Sequence, residues 1–207
     1  MSLEVNMYKA EMLSGNIGTE ASFKALDGKG KRIIHIATHG FYFDDSIKDI
    51  AYIERMSSVS KYDYDNKAMF RSGLLFSGAD YAWNGEINTE NVDDGILTAQ
   101  EISNIDLTGL DLVVLSACDT AHGEMNSDGV FGLQRGFKKA GANSILMSLW
   151  KVDDDATGQF MSAFYHYLIH GNSKVDALKS AQKYLRSNPK YSDPQYWAGF
   201  VLLDGLN

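Results

Sequence analysis

The chain has 207 residues with 27 acidic and 19 basic side chains, a formal net charge of −8, and no Lys/Arg-rich block, so the electrostatic footprint of a nucleic-acid-binding surface is missing. With 44% apolar residues, 12% aromatics and 2 prolines, it has the material for one packed core and does not have the composition of a disordered linker. Its longest apolar stretches, Ile145–Trp150 and Phe200–Leu203, fall far below the roughly 18–20 residues that span a bilayer, and one cysteine, Cys118, excludes an internal disulfide framework and any multi-cysteine metal centre.

The opening Met-Ser-Leu-Glu-Val-Asn lacks the charged and apolar regions of a signal peptide, which points to the cytoplasm. Met1–Leu3 also fits a start added to a domain cut from a longer protein. Ser14–Thr19 reads as a turn, and Thr19-Glu-Ala-Ser-Phe opens a short helix ending near Leu26. Asp27–Lys31 turns again. Its glycines and lysines lack the Gly-x-x-x-x-Gly-Lys-Ser/Thr spacing of a phosphate loop, so a nucleotide is not expected there; no other cofactor is expected for the chain either.

From Lys31, Arg-Ile-Ile-His-Ile-Ala-Thr-His-Gly is a β-branched apolar run closed by glycine, the pattern of a parallel strand buried on both faces and ending at Thr38-His39-Gly40. Residues Asp44–Asp94 are irregular, with one apolar burst, Gly73–Ser77, and read as a strand with long loops, an insertion into a single domain over 1–207. Asp111–Ala117 and Ser144–Trp150 repeat the buried-strand pattern. Between them Val130, Leu133, Phe137 and Ala140 fall at helical spacing, stopped by Gly141. Asp153–Asp155 open a further helix that ends at Gly171, Ser173 caps another through about Arg186, and Tyr196–Leu203 reads as a return strand. Strands alternating with helices give an α/β layered sandwich with a mostly parallel sheet.

Ligands of open α/β sheets bind at the carboxyl ends of the strands. Here that rule brings the His39 imidazole and the Cys118 thiol to one edge. A histidine that takes the thiol proton, stabilises the thiolate and returns a proton to a leaving amine supports acyl transfer. Backbone amides beside Gly40 and Cys118 would serve the developing oxyanion. Against this stands a cysteine that is only a small buried hydrophobe. His35, among isoleucines in mid-strand, reads as a satisfied core or orienting histidine. His166 and His170, four apart on a helix, lack a third ligand and are assigned to a helix face rather than a metal.

His35-Ile-Ala-Thr-His39-Gly40 and Leu112-Val-Val-Leu-Ser-Ala-Cys118-Asp-Thr120 resemble the two signature segments of CHAT domains, the caspase-like domains that accompany tetratricopeptide repeats. Gly129–Trp150, Ala177–Gln182, Tyr196-Trp-Ala-Gly-Phe and Thr19-Glu-Ala-Ser-Phe-Lys are also similar to family landmarks, so that the resemblance runs from about Asn16 to Gly205. It implies a three-layer α/β/α caspase-hemoglobinase fold, related to caspases, gingipains and separase, and a cysteine peptidase. His39 would be the general base and acid, Cys118 the nucleophile, and Gly40 and Cys118 the oxyanion-hole amides. Leu149–Asp154 is similar to a separase segment whose acidic residue faces a basic substrate side chain. Asp154 falls on that position, implying Arg or Lys before the cut bond, although Asp153–Asp155 also suit a helix N-terminus without any substrate.

The expected partners are a polypeptide substrate and a tetratricopeptide-repeat or sensor domain in a longer parent protein, with no nucleic acid and no membrane. Two alternatives stay open beside the endopeptidase: a catalytically silent interaction or signalling domain, and a small-molecule hydrolase using the same pair.

Overall fold

The runs Leu112–Leu115 and Ser144–Ser148 are buried on both faces, and each face meets its own layer of helices. A computed structural model describes residues 10–42, 67–83, 93–116 and 127–203. In chain order these hold α1 (Glu20–Lys24), β1 (Ile33–Ile36), β2 (His39–Tyr42), α2 (Lys67–Phe70), β3 (Ser72–Leu75), α3 (Ala79–Trp83), β4 (Ile96–Thr98), α4 (Ala99–Ile102), β5 (Leu112–Leu115), α5 (Ser127–Ala140), β6 (Ser144–Ser148), α6 (Asp154–Ile169), α7 (Lys174–Ser187) and β7 (Phe200–Leu203).

β5 lies at the centre, parallel to β1 on one side and to β6 on the other, and β7 closes the sheet antiparallel to β6. Because side chains alternate across a strand, neighbours along β5 and β6 enter different cores. Val113, Leu115, Ile145 and Met147 pack with Leu133, Phe137 and Ala140 of α5, Ile102 of α4 and Phe23 of α1. Leu112, Val114 and Leu146 pack with Phe160 and Phe164 of α6 and with Ala177, Ala181 and Leu185 of α7. Phe200 of β7 stacks on Phe160 with ring centroids 3.8 Å apart, which ties the return strand to α6. This is the layered α/β sandwich with a mostly parallel sheet that the strand and helix alternation predicts, in the α/β/α form that the resemblance implies.

The helix starts follow local chemistry. Thr19 caps α1 by accepting the Ser22 N–H, Asp153 caps α6 by accepting the Ala156 N–H at 3.0 Å, and Ser173 caps α7 by accepting the Asp176 N–H at 3.1 Å. Lys174, just inside α7, donates to Asp111 Oδ1 at 2.6 Å and to Ser144 Oγ at 2.7 Å, which fastens α7 to the residues that open β5 and β6.

The structure differs from the sequence reading at the first strand. That strand stops at Ile36, and His39 opens β2 in a separate antiparallel sheet of order β2-β3-β4, with His39 opposite Leu75 and Leu75 opposite Ile96. The chain changes sheet here because Phe41 needs its own cover: it packs with Ala79 and Ile96, and its ring lies 5.5 Å from that of Trp83. Gly73 makes room for Phe41, since a Cβ there would come within 2.4 Å of the Leu97 carbonyl oxygen and 2.6 Å of the Phe41 ring. Of the irregular 44–94 stretch, the described parts contain β3, as expected near Gly73, and also α2 and α3. Among the described residues no helix is long and apolar enough to cross a membrane.

The second sheet is held to the N-terminal helix by a buried carboxyl. Glu20, 2% exposed, accepts the Gly95 N–H at 2.8 Å, and Lys24 Nζ lies 2.5 Å from Glu20, 2.9 Å from Asp93 and 3.2 Å from Glu101. The carboxylates of Glu20, Asp93 and Glu101 outweigh burial at Lys24 and hold its ammonium above the ordinary range. Burial pushes the Glu20 carboxyl up from 4.5 to about 7, against the pull of Lys24 and of the Gly95 amide. The folded state therefore holds a proton at Glu20 that the unfolded chain releases between those two values. The stability this confers is complete below the unfolded pKa and is lost as pH rises through the folded one. The unfolding free energy of the wild type relative to Glu20→Gln, from urea denaturation at stepped pH, is expected to decline by up to about 3 kcal/mol on going from the lower value to the upper. Parallel pH profiles for the two proteins would refute this.

Candidate active site

β1, β5 and β6 are parallel, so the backbone leaves all three at the same edge of the sheet. A cleft of about 550 Å³ opens at that edge. It is lined by His35, Thr38 and His39 from β1 and the start of β2, by Ser116 just after β5, by Ser148, Lys151 and Val152 from the end of β6 and its loop, and by Asp154, Thr157, Gly158 and Met161 from α6.

Of the residues singled out in the sequence, His39 and Asp154 therefore meet on one cleft, together with His35. Gly40 follows His39 in β2, is buried, and stands opposite Leu74 of β3. Cys118 lies outside the described residues. The described chain after β5 ends at Ser116, whose N–H donates to the Ile36 carbonyl at 3.1 Å, so the strand two residues ahead of the thiol is still held beside β1.

His39 is solvent-exposed at the cleft, and the backbone that carries it is anchored. The hydroxyl of Thr38 donates to the Leu75 carbonyl, and the next residue begins the β2–β3 ladder. His35 has a different setting. Its Nε2 is 3.0 Å from Ser116 Oγ, a bond across the β1–β5 pair, and its ring lies 5.7 Å from that of Tyr165 on α6. Water reaches the ring from the cleft, while the protein around it lowers its pKa from 6.5 by desolvation. Tyr165 contributes to that apolar wall. Its hydroxyl is buried with no hydrogen-bond partner among the described residues, and burial pushes its ionisation upward.

The three adjacent acids at the start of α6 divide their tasks. Asp153 is the cap. Asp155 sits 2.7 Å from Lys190 Nζ and accepts the Tyr191 hydroxyl, and these contacts hold its carboxyl below the usual range. Asp154 is the one that lines the cleft. Helix capping thus accounts for Asp153 by a direct bond, and the Asp155 contacts account for the third acid.

Sequence reasoning passed over Ser116, Thr157, Gly158 and Met161. The last three were open to it through spacing alone: at three, four and seven residues after Asp154 they share its helix face. Ser116 carried no signal, since its role depends on the register that sets Ile36 opposite Leu115. No cluster of three or more metal-ligating side chains occurs among the described residues.

Comparison with known proteins bears on this geometry. The CHAT domain family matches residues 4–205. Tetratricopeptide repeat protein 28 of Mus musculus and its namesake of Homo sapiens are each 38% identical to this chain over 108 residues, which is 52% of this chain and 4% of either relative. The chain thus spans a small fraction of the length of these relatives.

A depressed histidine pKa makes a charged His35 costly, so its contribution to stability is present above the unfolded value of 6.5 and is lost as pH falls through the lower folded one. Nuclear magnetic resonance titration of the imidazole is expected to give a His35 midpoint below 6.5. A midpoint at or above that value would contradict the desolvated setting described for it.

Proposed function

This chain belongs to the CHAT domain family, and from that premise we propose that it is a cysteine endopeptidase in which His39 and Cys118 form the catalytic dyad. The observation that carries the proposal is the cleft at the carboxyl edge of three parallel strands, with His39 on one wall and Asp154 on another. The strand that leads to Cys118 ends at that edge, beside the strand that leads to His39.

In this mechanism His39 takes the Cys118 proton, and the thiolate sulfur attacks the carbonyl carbon of the scissile peptide. The carbonyl electron pair moves to oxygen, where the amides of Gly40 and Cys118 would stabilise it. Collapse of the adduct breaks the C–N bond, the imidazolium gives its proton to the departing amine, and a thioester remains. Water, deprotonated by His39, then releases the acid and restores the thiol. The Asp154 carboxylate gives the cleft a preference for Arg or Lys before the cut bond, through charge-assisted hydrogen bonds.

The relatives are tetratricopeptide repeat proteins by name, which supports a repeat or sensor domain as the partner that governs the cleft in a longer parent chain. A lone thiol that must stay reduced suits the cytoplasm.

Digestion of a mixed peptide library, read by mass spectrometry, tests the proposal. Cys118→Ser and His39→Ala are expected to lower kcat/KM by at least about 10³-fold, and Asp154→Asn to reduce the Arg/Lys bias by about 10–100-fold, the worth of one hydrogen bond to a charged group. Alkylation of Cys118 near neutral pH should be faster in the wild type than in His39→Ala. Equal, slow labelling of both proteins with no cleavage would overturn the peptidase reading in favour of a silent interaction domain. Ester turnover without peptide cleavage would reassign the dyad to a small-molecule hydrolase.

A further inference from the structure

We infer that Gly158 is a specificity-determining residue: its missing side chain leaves a notch in α6 through which a long basic side chain reaches Asp154. The inference rests on the reading of the cleft as a site that accepts Arg or Lys, and it adds the residue that decides which side chains fit.

Gly158 sits in the interior of a 16-residue helix, where glycine is the poorest choice short of proline. Crowding is the ordinary reason for a glycine in such a place. Gly136 of α5 has that reason, since a Cβ there would fall 2.5 Å from the Ala99 carbonyl oxygen of α4. Gly158 does not: beyond its chain neighbours and the backbone of its own helix, a Cβ built on it meets no described heavy atom within 4 Å, and its φ lies outside the left-handed range. Neither packing nor backbone conformation among the described residues calls for glycine at this position, yet it lines the cleft.

The direction of the missing side chain gives the absence a purpose. Helical Cα–Cβ bonds tilt toward the N-terminus, so a side chain at one position covers the turn before it. One turn before Gly158 on the same face is Asp154. Any side chain larger than hydrogen at 158 would therefore stand over the approach to that carboxylate. Met161, 6% exposed and three residues on, borders the notch with apolar surface. An apolar flank leading to a carboxylate matches a methylene stem that ends in a cation. Lys151 lines the same cleft and makes an interaction of its own, so its charge opposes a bound cation and has to be controlled for.

The test uses the 207-residue chain and n-butylguanidinium as a probe, with binding followed by nuclear magnetic resonance shifts of Thr157 and Met161 and by calorimetry. Gly158→Leu is expected to weaken probe binding at least about 10-fold and Gly158→Ala about 3-fold, with loss comparable to the leucine variant in Asp154→Asn, and Lys151→Ala should bind at least as tightly as the wild type. Gly158→Ala should raise Tm by about 2–4 °C, as expected for removing a helix-interior glycine, whereas a packing role for the glycine would lower it. In parallel, Gly158→Leu should lower kcat/KM for a peptide with Arg before the cut bond at least 10-fold more than for one with Ala there. Should leucine prevent folding, Gly158→Ala and Gly158→Ser carry the same comparison.

The outcomes separate the two claims. Probe binding that ignores the residue at 158, or a wild type that does not bind the probe, overturns the inference even where cleavage is intact. Probe binding that depends on 158 in a protein that cleaves no peptide upholds the notch and removes the peptidase reading.

Discussion

The parallel pairing of β1 with β5 and of β5 with β6 is the constraint on which the rest depends. A strand buried on both faces, as β5 and β6 are, has no polar side for a functional side chain, so chemistry there is confined to the strand ends. The register places Ile36 opposite Leu115 and Leu115 opposite Met147, which means that three backbones leave the sheet together. Sliding β5 by one residue would exchange Val113 and Leu115 for Leu112 and Val114 against α5, with Phe137 and Phe160 then facing the wrong partners. The two cores therefore hold the register, and the register holds the edge at which the cleft forms.

His39 is positioned by a second device. It leaves the parallel sheet and enters a small antiparallel one, where its backbone is tied to Leu75 and Leu75 to Ile96. The same ends of β3 and β4 are tied in turn to the N-terminal segment: Ser77 donates to the Gly18 carbonyl at 3.0 Å, and Gly95 donates to the buried Glu20 carboxyl. A chain of contacts thus runs from the Glu20 carboxyl of α1 through the backbone ladder of β4 and β3 to the histidine. His35 stays in the parallel sheet and bonds Ser116 across it. The two imidazoles reach one cleft from two sheets.

Much of this was legible in the sequence, for a physical reason. Strands β1, β5 and β6 are continuous apolar runs, and Thr19, Asp153 and Ser173 cap helices through contacts within three residues, so local pattern sufficed. The second sheet was hidden because β2 and β3 each mix a glycine and a polar residue with their apolar ones, and β4 is three residues long, so none of them shows a long apolar run. The switch at Ala37–Thr38 left no mark, since Thr-His-Gly suits the end of one strand as well as the start of another. His39 was readable as a candidate because residue type and strand-end position pointed to it, and Asp154 only through the resemblance of Leu149–Asp154 to a separase segment, while their common cleft depends on how α6 returns over the sheet. The notch at Gly158 was beyond sequence: a helical glycine reads as a defect until the space beside it is seen.

The start of α6 shows how one short acidic run divides among a helix cap, an ion pair and the wall of the cleft. The helix needs a side chain that accepts an N–H of its first turn, and Asp153 provides it at 3.0 Å. The helix also favours negative charge near its N-terminus, which Asp154 and Asp155 both supply. Adjacent residues on a helix point about 100° apart, so Asp154 and Asp155 face different surroundings. Asp155 turns toward Lys190 and Tyr191, and Asp154 toward the cleft. The residues that follow Asp154 on its face are Thr157, Gly158 and Met161, and the next ones on the opposite side, Ala156, Phe160 and Phe164, are buried against the sheet. One face anchors the helix while the other borders the cleft, so the packing that fixes Phe160 also sets where the carboxylate of Asp154 stands relative to His39.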